Sequence, residues 1–305
     1  MRIFLTGGTG FIGQALARTI RQRGWQLDAL VRQAEGAPAR WPASIGATLV
    51  RGDITQRDSM RKAMQHADIV IHNAGVYEFG ADSALRRRMR DANVRGTECT
   101  LSLALELRVP RTLYVSTTYA IGGTPKAQVC DETHTRQIPP VHYYEQTKAE
   151  AHEPPMGWCP QMIISLVEVN ALAEGIVLAA EKGRLGEAYL FCGEPTSIRQ
   201  MFGHWRAHRG GFTPKLWLPP WLMKLQFAPL EPLQRALGLP AFFSRESVAA
   251  ATVSLNYVSN KARRELGWAH PTAAEMWPRI IRRERELLAQ RRGLRAKLRP
   301  AAVAV

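Results

Sequence analysis

A chain of 305 residues with 46% hydrophobic and 22% charged residues can bury a full core and has an ordinary globular composition. Its net charge of +15 raises nucleic acid as a partner, but much of the excess lies after Met276, where nine Lys or Arg face two Glu, the pattern of a solvated basic face. Cys99, Cys130, Cys159 and Cys192 form no Cys-x-x-Cys and point to neither a zinc site nor a disulfide framework, so a reducing cytoplasm fits; no run reaches the roughly 18 apolar residues of a membrane span.

The first element is an apolar strand, Ile3 to Thr6, that ends in Gly7-Gly8-Thr9-Gly10-Phe11-Ile12-Gly13. This stretch interrupts any signal-like apolar region. The glycines satisfy Gly-x-Gly-x-x-Gly directly after a strand and before a helix, the order a dinucleotide site needs: glycines let the backbone approach a pyrophosphate, and the helix N-terminus offers it unpaired N–H groups. From Ala15 the pattern is amphipathic, with Leu16 and Ile20 inward and Arg18 and Arg21 outward, and Gly24 closes the helix.

Residues Gln26 to Arg32 read as the second strand, followed by a linker rich in Ala, Pro and Gly as far as Ser44. Ala47 to Arg51 is the third strand, Gln56 to Gln65 a helix, Asp68 to His72 the fourth strand, Ser83 to Val109 largely helical and Thr112 to Ser116 the fifth strand. A helix is expected from His142 to Glu153, and a further strand from Met162 to Val169. The alternation predicts an α/β fold, a Rossmann-type doubly wound parallel sheet whose ligands bind at the carboxyl ends of the strands.

Unusual residues cluster at those ends. Arg32 stands near the position where an acidic group would hold a ribose 2′-hydroxyl, and a cation there suits a 2′-phosphate, favouring NADP over NAD. Asp28, earlier in the strand, reads as solvent-facing; Asp53 suits either the cap of the next helix or a bond to the adenine ring. Tyr144 and Lys148 share one helical face at i and i+4. An ammonium beside a phenol favours the phenolate, and a hydroxyl from Thr118 can bond the same substrate oxygen, so hydride moves at carbon while a proton moves at oxygen. His204 and His208 also stand at i and i+4, but no Cys or carboxylate completes a metal set, and no metal is expected.

The glycine stretch, Gly52-Asp53-Ile54, His72 to Gly75, Asn93 to Thr97, Val115 to Thr118, Tyr144 to Lys148, Leu166 to Gly175 and Asn256 to Trp268 together resemble the extended short-chain dehydrogenase/reductases, which include sugar epimerase/dehydratases and dihydroflavonol-reductase-like carbonyl reductases. The resemblance implies Tyr144 as acid/base, Lys148 as its electrostatic partner and ribose ligand, and Thr118 as the carbonyl-binding hydroxyl, with Ser116 or Thr117 as the fallback. The cofactor, NADP with NAD as the second choice, is expected against Gly7, Gly10, Phe11, Ile12, Gly13, Arg32, Asp53, Ile54, Asn73, Ala74, Tyr144 and Lys148. Tyr119 and Ala120 stand where the dehydratases carry Asp and Glu, which argues against dehydration. Relatives of this kind often pair as homodimers through a four-helix bundle.

The resemblance breaks after Lys148. His152-Glu153-Pro154-Pro155 stops the helix, and only about a dozen residues precede the next strand, where a complete βαβ unit takes roughly 30. A segment that carries part of the nicotinamide wall is therefore expected to be missing between 153 and 162. The expected organisation is a dinucleotide-binding domain over 1–193, a smaller, mostly helical substrate lobe over 194–292 and a basic, disordered tail over 293–305. In the lobe, Trp217 to Leu225 reads as a lid or core helix rather than a peripheral membrane contact. These readings lead to an oxidoreductase acting on a carbonyl or secondary alcohol of a small substrate; an NAD-dependent sugar-nucleotide epimerase and a non-catalytic dinucleotide binder are the alternatives.

Overall fold

The structure, a computed structural model, describes residues 1–33, 37–77, 82–125, 128–136, 143, 162–209, 222, 225, 232, 234, 253–283 and 286. Its elements begin with β1 (Arg2–Thr6), α1 (Phe11–Gln22), β2 (Gln26–Val31), α2 (Ala37–Ser44), β3 (Thr48–Arg51), α3 (Asp58–Met64) and β4 (Ile69–His72). Next come α4 (Ser83–Arg90), a π-helical turn (Asp91–Arg95), α5 (Gly96–Glu106), β5 (Arg111–Tyr114) and α6 (Thr118–Ile121). The later elements are β6 (Ile163–Ser165), α7 (Val169–Lys182), β7 (Pro195–Ser197), α8 (Ile198–Arg209) and α9 (Asn260–Leu266).

Five parallel strands form one sheet in the order β3-β2-β1-β4-β5. β1 is central, and a strand covered on both faces needs the unbroken apolar run Ile3-Phe4-Leu5, all fully buried. Because side chains alternate along a strand, Ile3 and Leu5 pack with Ile69 and Ile71 against α1 and α7, while Phe4, Leu30 and Val70 pack with Met60, Met64 and Leu103 of α3 and α5 on the opposite face. Helices thus cover both faces, a doubly wound Rossmann-type fold. Arg23 at the end of α1 pairs with Glu174 and Glu181 of α7, fixing the two helices side by side.

β6 and β7 form a separate antiparallel pair that joins residues on both sides of position 193. Residues 253–258 tie this region to the chain after β5: Leu255 bridges Ile164, Ser254 bridges Thr124 and Tyr257 bridges Cys130. The fully buried Tyr257 donates its hydroxyl to the carbonyl of Gly122 at 2.5 Å.

Three expectations need correction. The segment expected to be linker contains α2, because Trp41 packs against the core and holds the guanidinium of Arg18 5.3 Å from its ring centre. Burial of one large ring outweighs the breaker signal of Pro42, and Pro38 sits in the first turn where proline is tolerated. Asp28 is not solvent-facing: it is 2% exposed and accepts from Arg2 Nε at 2.7 Å. The strand expected over Met162 to Val169 is only Ile163–Ser165, and Glu168 ends it by accepting from Asn170 N and Ala171 N to cap α7.

The catalytic helix expected over 142–153 lies outside the described residues except for Tyr143, as does the tail after Gly293; of Trp217 to Leu225 only Leu222 and Leu225 are described.

Candidate functional site

The turn after β1 is built backbone against backbone. Gly7 has φ +71°, and a Cβ there would lie 2.8 Å from the N and Cα of Ala74, so only glycine allows the exits of β1 and β4 to meet. Gly10 N–H donates to Gly7 O at 3.0 Å, and Gln14 Nε2 donates to Thr9 O at 3.2 Å. A Cβ on Gly13 would stand 2.0 Å from Gly7 O, so the first turn of α1 sits directly on the loop.

The helix N-terminus is left open for a ligand. Its cap residue is Gly10, with no side-chain cap and no acidic residue in the first turn. The first-turn N–H groups, including those of Phe11, Ile12 and Gly13, have no partner within the helix. Together with the macrodipole they suit an anion. Phe11, 79% exposed, lies beside them. The cradle therefore fits a dinucleotide pyrophosphate, and it does so without a lysine or arginine in the loop.

Beneath the turn runs a buried hydrogen-bond chain that joins β1, β4 and α5. Thr6 Oγ1 accepts from Asn73 N and Ala74 N, both at 3.2 Å, so its own proton goes to His72 Nδ1 at 2.8 Å. Thr97 Oγ1 donates to Asn93 O at 2.8 Å and can therefore only accept from His72 Nε2 at 3.1 Å. These bonds assign the Nε2–H tautomer to His72. Fully buried Asn93 extends the chain, its amide bracketing Val76: Oδ1 accepts from Val76 N at 2.8 Å and Nδ2 donates to Val76 O at 2.9 Å. Thr6, His72, Asn93 and Thr97 received no role from sequence, though three of them stand within the motifs quoted above.

Other expected cofactor residues surround this cradle. Leu5 is in register with Ala29, which brings exposed Arg32, just past β2, level with the glycine turn. Asp53 does not cap α3 with its side chain; its Oδ1 accepts from Thr55 N at 2.8 Å and Thr55 Oγ1 at 2.7 Å, closing the loop after β3. Ile54 packs over Gly96, where a Cβ would meet Ile54 Cδ1 at 2.5 Å. Asn73 and Ala74 follow β4 and contact the glycine turn as described.

Thr118 opens α6 just beyond β5, at the same end of the sheet as the glycines, with Ser116 and Thr117 between. Val115 N donates to His72 O at 2.9 Å, tying this strand end to the buried chain. Tyr144 and Lys148 lie outside the described residues. Beside Thr118 opens a cavity of about 550 Å³ that follows β5. Cys192 also lines it, but burial pushes its thiol up to about 12, so it is not a nucleophile at neutral pH. His204 stacks on Trp277 with ring centres 6.0 Å apart, and no group of His, Cys, Asp or Glu among the described residues could hold a metal ion.

The model of the NAD dependent epimerase/dehydratase family matches residues 3–170, more than half of the chain. The chain belongs to this family. It is similar to a 4-hydroxy-2-methyl-3-oxo-4-farnesyl-3,4-dihydroquinoline-1-oxide ketoreductase from Stigmatella aurantiaca, with 31% identity over 88% of this chain and 92% of the relative. Sterol demethylase protein B from Methylococcus capsulatus is 24% identical over 88% of this chain and 93% of its own. Among solved structures, the UDP-glucose-4-epimerase from Stenotrophomonas maltophila with bound NAD and formylated UDP-arabinopyranose superposes with a TM-score of 0.71 and 16% identity, covering 95% of this chain and 99% of that one; at this identity the likeness is one of fold. Membership of the epimerase/dehydratase family makes this chain an NAD(P)-dependent enzyme of the oxidoreductase and epimerase kind. No helix among the described residues is long and apolar enough to cross a membrane.

Proposed function

We propose that the chain is an NADP-preferring oxidoreductase that interconverts a carbonyl and a secondary alcohol on a small organic substrate, with Thr118, Tyr144 and Lys148 as its catalytic residues. One observation carries the proposal: the open N-terminus of α1 and the hydroxyls of Ser116 to Thr118 lie at the same end of one parallel sheet, joined through His72. The N–H groups of Phe11, Ile12 and Gly13 would hold the pyrophosphate, Arg32 the 2′-phosphate, and Lys148 the ribose. When bound, the nicotinamide ring supplies or accepts the hydride. Thr118 donates a hydrogen bond to the substrate oxygen. In the reductive direction Tyr144 gives that oxygen its proton as the carbonyl π bond breaks, and the positive charge of Lys148 stabilises the phenolate left behind. The similarity to a ketoreductase supports this over epimerisation. The unpaired thiols of Cys99, Cys130 and Cys192 fit a cytoplasmic protein.

A second reading, dinucleotide binding without turnover, is favoured by the shortness of the chain. An alignment of 316 positions that uses 88% of 305 residues leaves several tens of positions with no residue here. We place that gap between 153 and 162.

Titration with NADPH and NADH, followed by turnover on a panel of ketones, tests both readings. Tyr144→Phe should lower kcat by about 100-fold or more while NADPH still binds. Equal activity in the variant would remove Tyr144 from the mechanism. Tight NADPH binding by the parent, with no turnover on aldehydes, ketones or nucleotide sugars, would establish the second reading.

A further inference from the structure

The cavity that opens at Thr118 does not end with the strand tips. Its lining runs from Thr118 and Ser116 back to Arg111, past the whole of β5, which spans about 13 Å at 3.3 Å per residue. β5 is an edge strand of the described sheet, so the cavity takes the place beside it that a further strand would fill. Its volume of about 550 Å³ falls within the range of small-molecule sites. The walls are largely apolar: Leu113 from β5 and Val115 just after it, Leu172 and Ile176 from α7, and Leu190 and Phe191 from the segment after α7.

Among the described residues, the charged groups on the lining are already engaged within the protein. Arg111 Nη1 donates to Gly183 O at 2.5 Å and Ala179 O at 3.3 Å. Arg184 Nη2 meets both carboxylate oxygens of Glu265 at 2.9 Å, Glu187 accepts from Lys261 Nζ at 2.7 Å, and Glu132 accepts from Leu190 N at 2.9 Å. A diphosphate entering this groove would lose its water and meet cations that already have partners, whereas a hydrocarbon would replace water against apolar walls.

We infer that the groove along β5 holds the body of a neutral, elongated, hydrocarbon-rich ketone or secondary alcohol, its oxygen at Thr118 and its apolar chain running toward Arg111. The inference rests on the oxidoreductase reading and adds its substrate class. It sets the chain apart from enzymes whose substrate is anchored by a nucleotide diphosphate.

The test uses the full-length protein and a series of methyl ketones: 2-butanone, 2-pentanone, 2-heptanone and 2-decanone, with UDP-glucose as the polar comparison. With NADPH present, KM should fall about two- to fourfold for each added methylene. Leu172→Trp, which fills the groove, should raise KM for 2-decanone at least tenfold more than for 2-butanone; Ile176→Phe serves where circular dichroism shows the first variant misfolded. A KM independent of chain length, or turnover of UDP-glucose in preference to the ketones, would overturn the inference. Calorimetric titration of 2-decanone onto the NADP-loaded protein separates this from failure of the oxidoreductase reading. Binding that is lost in Leu172→Trp, without turnover, would keep the groove and remove the reductase, while no binding would remove the groove.

Discussion

Between β1 and β4 the polypeptide packs backbone on backbone, with Gly7 against Ala74 and Gly13 against Gly7, and every polar side chain of the Thr6–His72–Thr97–Asn93 chain is satisfied. Beside β5 a largely apolar cavity of about 550 Å³ is lined by that strand, by α7 and by residues 183–192. The first region suits a ligand of fixed shape and charge, because its donors are set by main-chain geometry and cannot relax. The second suits a ligand recognised by bulk and hydrophobicity, for which length and girth matter more than the position of any one atom. The two meet at Val115, which binds β4 through His72 O and also lines the cavity. On the proposed function, the rigid end would hold the cofactor and the apolar end the substrate.

The largest effect expected on this contrast comes from Gly13→Ala. The added methyl would stand 2.0 Å from Gly7 O, and neither backbone can move without breaking the loop. Overpacking of about 3 kcal/mol in the binding-competent loop corresponds to roughly a 100-fold loss of NADPH affinity. Fluorescence titration of NADPH checks it. A Gly13→Ala variant that bound NADPH within a few-fold of the parent would show that the cofactor does not rest on this turn.

A smaller change is expected at Arg32, which stands exposed and level with the glycine turn without shaping it. Arg32→Ser should lower the preference for NADPH over NADH by about tenfold, since an exposed charge-assisted contact is worth on the order of 1.5 kcal/mol. The ratio of the two dissociation constants reads this directly, and an unchanged ratio would move the 2′-phosphate away from Arg32.

The difference between the two regions also explains what could be read in advance. The glycine turn is local: its strand, its spacing and the start of its helix lie within thirteen residues, and Gly7 and Gly13 answer steric demands that no side chain meets. That the strands would be parallel and covered by helices on both faces followed from alternation, whereas their order, β3-β2-β1-β4-β5, came only with the fold. The Arg2–Asp28 pair was hidden because it joins two strands 26 residues apart, and a charge within an apolar strand gives no sign of its partner. His72 and Asn93 were legible as parts of motifs, but their roles require the packing of α5 on β4. The groove was hidden more completely, since Leu113, Leu172 and Phe191 come together only when α7 crosses the sheet; none of them differs in sequence from an ordinary core residue.

The smallest effect expected lies on the cavity side, where α7 begins. His270 Nε2 accepts from Glu168 N at 3.1 Å, while the carboxylate of Glu168 caps the same helix. Burial holds the imidazole below its ordinary pKa, and Arg263 pushes in the same direction, against the opposing effects of the Pro271 backbone and of Glu168 and Glu194. A folded-state pKa below the unfolded one means that the unfolded chain takes up protons first as the solution is acidified. The stability contributed by neutral His270 is therefore complete above about pH 6.5 and is lost as pH falls through the depressed folded value. Protonation also removes the lone pair that Glu168 N requires. The midpoint of thermal unfolding should fall by at least about 2 °C between pH 7.5 and pH 5.5 in the parent, and by less in His270→Gln, whose amide oxygen still accepts the bond but does not titrate. Parallel slopes for the two proteins would place the acid sensitivity elsewhere. A reduced slope would show that α7, the helix that walls both the core and the groove, is anchored at its first turn by a histidine that must stay neutral.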